Sequence, residues 1–288
     1  MPAIRQLLAT KTNGLNVKLF EYDIDDEKSY NELKEYLVNK VRTSNVHNVE
    51  NYNLTYFATK NLKPEFIQKF NKQVAKISIP KKAKVPQFDV RRERVTEWMA
   101  QLLLEKEYGC TFYDEADKRM NLKPVEIDKH TDGIDVPGIR IVDNTIKFVI
   151  CEVKASETEK IPCTSVVSSL QDDIQKSVEN KDNRVSREIL QYMYGIRNVK
   201  LHDDELQRIV DFLLHLIAGE KDTLAENIMF FPLLIRNNNK IISNKDAGDY
   251  KNFTISGVSD NIESIIFAFN KSINNFSDAI YKEAIGNE

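Results

Sequence analysis

Glu152 and Lys154 stand two residues apart at the end of an apolar run, Ile146-Lys147-Phe148-Val149-Ile150-Cys151. Residues two apart in a strand share a face and lie about 7 Å apart along it. A carboxylate and an ammonium group would therefore emerge side by side. A third group comes from upstream. The pair Asp143-Asn144 permits a two-residue hairpin loop, in which Val142 faces Thr145 and Asp135 falls opposite Glu152. A three-residue loop would move Asp135 one position off, so the pairing depends on the turn. Cross-strand neighbours have Cβ atoms about 5 Å apart. Two carboxylates at that separation repel by roughly 3 kcal/mol at an effective dielectric of about 20. A divalent cation removes the repulsion, and oxygen ligands of this kind suit Mg2+, with Mn2+ as the alternative. The chemistry expected is metal-dependent phosphodiester hydrolysis. Asp135 and Glu152 would hold the metal with a backbone carbonyl near Val153, and Lys154 would position water and offset charge in the transition state.

Acid-x-Lys triplets also occur at Asp26/Lys28, Glu32/Lys34, Glu179/Lys181 and Asp249/Lys251, as a chain with 30% charged residues allows. Those four lie in polar segments. Only Glu152/Lys154 closes a run that is apolar on both faces and follows a Gly-x-Asp segment, Gly133 to Asp135. The competing reading of the pair is a surface salt bridge at a strand end.

An apolar run of this kind is the signature of a strand in the middle of a sheet. Residues 89–108 read as the partner helix, with Val95, Trp98, Met99, Leu102 and Leu103 as its stripe and Gly109 as its stop. Glu93 and Glu97 sit on its other side, and Glu97 has Arg94 within reach as an ordinary partner. Arg91, Arg92 and Arg94 at the helix start, with Lys81 and Lys82 in the Pro-bounded linker before it, are candidates for phosphate contacts. Elsewhere the pattern predicts a strand over 15–24, helices over 27–41 and 64–77, and a loop over 43–54. Further helices are expected over 165–176, 186–194 and 203–218, the last with His215 in the core. A strand over 227–235 carries Pro232, which argues for an edge or a bulge. A long amphipathic helix is expected over 260–284. His47 and His130 read as surface and structural residues. The fold class expected is α/β, a mixed sheet flanked by helices. Residues 1–85 form an accessory region and 86–288 the core with its C-terminal helix.

A net charge of −3 excludes binding of nucleic acid by bulk attraction, so any such contact must come from a local basic surface. Three cysteines, Cys110, Cys151 and Cys163, lack metal-ligand spacing and fit a reducing cytoplasm. No apolar run approaches membrane length, and no signal peptide opens the chain, so no membrane partner is expected.

The Gly-Ile-Asp segment ending at Asp135, followed by Glu152-Val153-Lys154 behind an apolar strand, resembles the PD-(D/E)xK nuclease superfamily. Within it the chain is similar to the nuclease subunits of the Hachiman antiphage defence system, the family built on the DUF1837 domain. The resemblance is strongest over residues 90–200 and looser toward both ends. It departs in one respect, since Ile134 stands where the superfamily's eponymous Pro precedes the Asp. The resemblance implies a restriction-endonuclease-like core with N-terminal and C-terminal helical additions. DNA is the implied substrate and a superfamily 2 helicase of the same system the implied partner. It also implies that an acid on the 89–108 helix, best matched by Glu97, completes the metal site. The alternatives are a stand-alone restriction- or repair-type endonuclease and a non-catalytic adaptor that retains the fold.

Overall fold

In the computed structural model, residues 4–12, 15–22, 26–51, 65, 79–84, 89–112, 133–142, 145–196, 203–218, 227–237, 243–250 and 261–285 are described. They contain strands β1 (Ile4–Thr12), β2 (Leu15–Tyr22), β3 (Cys110–Thr111), β4 (Val136–Val142), β5 (Thr145–Ser156), β6 (Ile228–Arg236) and β7 (Glu263–Ala268). The α-helices are α1 (Glu27–Asn51), α2 (Val90–Tyr108), α3 (Thr164–Val178), α4 (Arg184–Ile196), α5 (Asp203–Ile217) and α6 (Ile273–Ile285). All strands join one mixed sheet in the order β1-β2-β7-β6-β5-β4-β3. The β1–β2 and β4–β5 pairs are antiparallel, whereas β2, β7, β6 and β5 run parallel.

Strand β5 follows from its composition. Val149, Cys151 and Val153 enter one core with Leu37 of α1, Trp98 and Leu103 of α2, and Phe276 of α6. Phe148 and Ile150 enter a second core with Ile174 of α3, Val185 of α4 and Phe212 of α5. Both faces of the strand are therefore covered, as an uninterrupted apolar run requires. Phe148 stacks on Phe212 with ring centroids 5.1 Å apart, which ties α5 to the same strand. Val142 faces Thr145, so the loop between β4 and β5 is two residues long, as predicted. Helix α2 has the predicted ends. The Asp89 carboxylate accepts from the Arg91 amide at 3.0 Å, and Gly109 closes the helix at φ 62°.

Several expectations need correction. Residues 43–51, expected as loop, continue helix α1. The long terminal helix expected over 260–284 is instead strand β7 followed by helix α6. The spacing of Ile262, Ile265, Ile266 and Phe269 fits a helical stripe, but pairing with β2 and β6 decides the conformation. Pro232 lies in a central strand, not an edge. Its missing N–H falls where the β6–β7 ladder is interrupted, between the Phe230–Ile262 bridge and the Leu233–Ile265 pair. His215 is exposed rather than in the core. Of the helix expected over 64–77 only Glu65 is described, and it is helical, while His130 and the His47 side chain lie outside what is described.

No helix among the described residues is long and apolar enough to cross a membrane.

Candidate active site

The β4–β5 ladder ends at Val136–Cys151, one pair short of Asp135. Beyond that pair, β5 continues to Ser156 bonded only to β6 among the described strands. Ligands of α/β sheets bind at such strand ends. Asp135 therefore does not pair with Glu152 as a ladder partner. Its Oδ2 accepts instead from the Val153 amide at 2.7 Å, which fixes the carboxylate beside the Glu152–Lys154 segment.

Glu152 and Lys154 emerge on the α3–α4 face, as their period-2 spacing requires. Glu152 has no solvent exposure, and its carboxylate accepts from the Ser177 hydroxyl of α3 at 2.9 Å. It also accepts from Arg184 Nη2, at 2.9 Å to Oε1 and 3.1 Å to Oε2. Lys154 pairs through Nζ with Asp173 of α3 at 2.7 Å, and Asp173 also takes Lys176 at 2.8 Å.

Asp135 and Glu152 repel each other. Burial first, and then the neighbouring carboxylate, push Glu152 well above the usual carboxylate range despite Arg184 and Ser177. Burial pushes Asp135 up to about 6, against the charge of Lys154 and the Val153 amide, with Glu93 and Asp173 adding to the rise. Asp135 is half-buried. Burial alone would discharge Lys154, but Asp135 and Asp173 outweigh it and hold the ammonium above its ordinary pKa. The Asp173 carboxyl is held below its ordinary value, because hydrogen bonds from Lys154 and Lys176 outweigh its burial. Two acids that resist ionising together are a standing demand for positive charge.

The three residues picked from spacing, Asp135, Glu152 and Lys154, thus come together. Of the two helix acids, Glu93 acts electrostatically on Asp135, whereas the charge of Glu97 is felt at Cys151. The basic candidates face elsewhere. Arg91 donates to Asp278 of α6 at 3.1 Å, and Arg94 is buried beside Tyr281. Arg92 donates to the Ala155 carbonyl at 2.7 Å and so fastens α2 to the end of β5. Lys82 pairs with Asp278, and Lys81 is exposed. Asp173, Ser177 and Arg184 escaped the reading of spacing. Asp173 follows another acid and precedes Lys176 by one turn, which reads as a solvated helix face.

Among the described residues no three Asp, Glu, His or Cys side chains converge closely enough to make a metal cage on their own. The donor set nonetheless fits Mg2+, which keeps several waters and takes one or two carboxylates together with substrate phosphate. Asp135 and Glu152 supply two carboxylates, and burial raises the pKa of both, so that a further cation would favour their charged forms.

Loop 157–163, which follows the site strand, is anchored from β6. Arg236 is fully buried and donates to the carbonyls of Thr158 at 2.6 Å and Lys160 at 3.2 Å. Its Nη1 lies 3.7 Å from Asp246, which in turn accepts from the Cys163 amide at 3.1 Å.

A search of curated proteins returned no match. A family model, HamA, matches residues 4–284 of the 288-residue chain, nearly its whole length, from β1 into α6. The chain therefore belongs to the HamA family of Hachiman-associated defence proteins.

Proposed function

We propose that this chain is a Mg2+-dependent deoxyribonuclease, the effector of a defence complex that includes a superfamily 2 helicase. The observation that carries the reading is the pair of mutually repelling carboxylates, Asp135 and Glu152, with a charged lysine two residues along the same face of β5. Asp135 and Glu152 would hold the metal, with Glu93 the nearer of the two helix acids in electrostatic effect. When bound, the metal polarises the scissile phosphate and makes a bound water acidic enough to attack at neutral pH.

The chain's own residues do the rest. The Val153 amide aims Asp135, and Ser177 orients Glu152, so neither carboxylate must reorganise when substrate arrives. Lys154 stays protonated at neutral pH and meets the negative charge that builds on the phosphoryl oxygens. Asp173 keeps that ammonium on the correct side of the strand. DNA as substrate and the helicase as partner rest on family membership. The net charge of −3 suits a subunit that relies on another to hold the polymer.

The test is cleavage of plasmid and linear DNA by purified protein, alone and with its helicase, in Mg2+ or EDTA. Wild type should cut in Mg2+ only, and Lys154→Met and Glu152→Gln should not cut. Cleavage that persists in EDTA or in either variant would remove this site from the chemistry.

A further inference from the structure

Arg184, the first residue of α4, spans the candidate site. One guanidinium nitrogen, Nη2, reaches both oxygens of Glu152 and also donates to the Gly133 carbonyl, two residues before Asp135. The cation therefore bridges the β5 carboxylate and the segment that delivers Asp135. Those are the two sides between which a divalent ion would stand. Its Nε is buried without a hydrogen-bond partner, so the guanidinium is seated with one of its donors unused. The side chain is 18% exposed, which gives it a path to solvent that Glu152 lacks.

The segment leading into Arg184 is unusual as well. Asn180, Asp182 and Asn183 have φ of 47°, 54° and 57°, and they are the only non-glycine residues with positive φ among those described. The Asn180 side chain then caps α4, accepting from the Val185 amide at 2.9 Å and the Ser186 amide at 3.2 Å. Strained backbone is thus concentrated in the four residues that carry the arginine to Glu152. Such strain gathers where a segment has two settings.

We propose that Arg184 is a built-in counter-ion that competes with the divalent cation for Glu152, so that the metal occupies the site only when the guanidinium withdraws. This rests on the assignment of Glu152 as a metal ligand. The turn over 180–183 is the hinge on which α4 carries the arginine away. Arg184 is then the residue that sets metal affinity, and the metal-free site is held ready by an internal cation. Any partner that moves the start of α4 controls the occupancy of a site it does not touch.

The test is calorimetric titration of the full chain with MnCl2, with no DNA present. The proteins are wild type, Arg184→Gln, Arg184→Lys and the double variant Arg184→Gln/Glu152→Gln. Removal of a charged competitor hydrogen-bonded to the ligand should tighten Mn2+ binding about tenfold or more in Arg184→Gln. Arg184→Lys keeps a cation but loses the fork, and should fall between that variant and wild type. The double variant should lose the gain. Arg184→Lys alone decides the matter should Arg184→Gln not fold. Mn2+ binding to wild type as tight as to both arginine variants would overturn the counter-ion role and leave the metal site standing. Absence of Mn2+ binding in all four proteins would remove the metal site, and the competition with it.

Discussion

Lys154 and Asp173 form an ion pair 2.7 Å across, one from strand β5 and one from helix α3, and Asp173 is shared with Lys176. The pair fixes a long, flexible side chain at the mouth of the site. Replacing Asp173 with Asn should lower kcat about 10-fold to 100-fold, the worth of a charge-assisted hydrogen bond, with KM little changed. Asp173→Glu should recover part of the loss. Steady-state kinetics on DNA check this, and equal kcat in Asp173→Asn and wild type would remove Asp173 from the positioning of Lys154.

Lys154 itself should matter more. Lys154→Met would remove the charge proposed to answer the developing phosphoryl negative charge, and a loss of about 10²-fold to 10³-fold in kcat is expected. Circular dichroism should show the fold intact, because the ammonium stands at the edge of the core.

Glu152→Ala should do harm of a different kind. It leaves Arg184 partly buried without its carboxylate, which costs about 3–5 kcal/mol of stability when one member of a buried pair is lost. Urea unfolding measures it, and a cost below about 1 kcal/mol would mean that the pair is solvated.

Arg236 and Asp246, both fully buried, offer a control pair that touches none of Asp135, Glu152 and Lys154. Asp246→Ala strands a buried guanidinium and should cost about 3–5 kcal/mol. Arg236→Met combined with Asp246→Leu should cost less than Asp246→Ala, despite the lost contacts to Thr158 and Lys160. Denaturant curves of the three proteins decide the order.

Asp135 gives a pH signature in metal-free protein. Its folded-state value of about 6 exceeds the ordinary 3.8, so the folded chain holds this proton more tightly than the unfolded chain. The stabilisation is present below about pH 4 and is lost as pH rises through about 6. Asp135→Asn removes that dependence. The variant should therefore gain stability relative to wild type as pH rises from about 4 to 6 and then level off. Thermal melts in EDTA across that range test it, and a difference that does not vary with pH would refute the shift.

How far the sequence could be read depends on whether its signal was local. The β4–β5 register was legible because two turn residues set it and because an apolar run marks the strand. Glu152 and Lys154 sharing a face followed from period alone. The register that sets Asp135 opposite Glu152 was read correctly, but nothing in the sequence says that the ladder stops one position earlier, at Val136. Strand β7 was hidden because Ile262, Ile265 and Ile266 satisfy a helical stripe as well as a buried strand, and only its distant partners choose. Strand β1, whose middle is almost wholly exposed, carries no alternating pattern to detect. Asp173 and Arg184 reach the site through the fold of α3 and α4 across the sheet, a relation with no trace in spacing.

Strand β7 sits between β2 and β6, although it is encoded more than a hundred residues after Glu152. On a ribosome, the first hairpin lacks its neighbouring strand, and the site strand's neighbour β6 lacks its flank, until β7 has been translated. The order in which the polymer is made thus delays closure of the sheet. If the chain has the nuclease activity proposed above, the site strand gains its complete sheet only once β7 has been made.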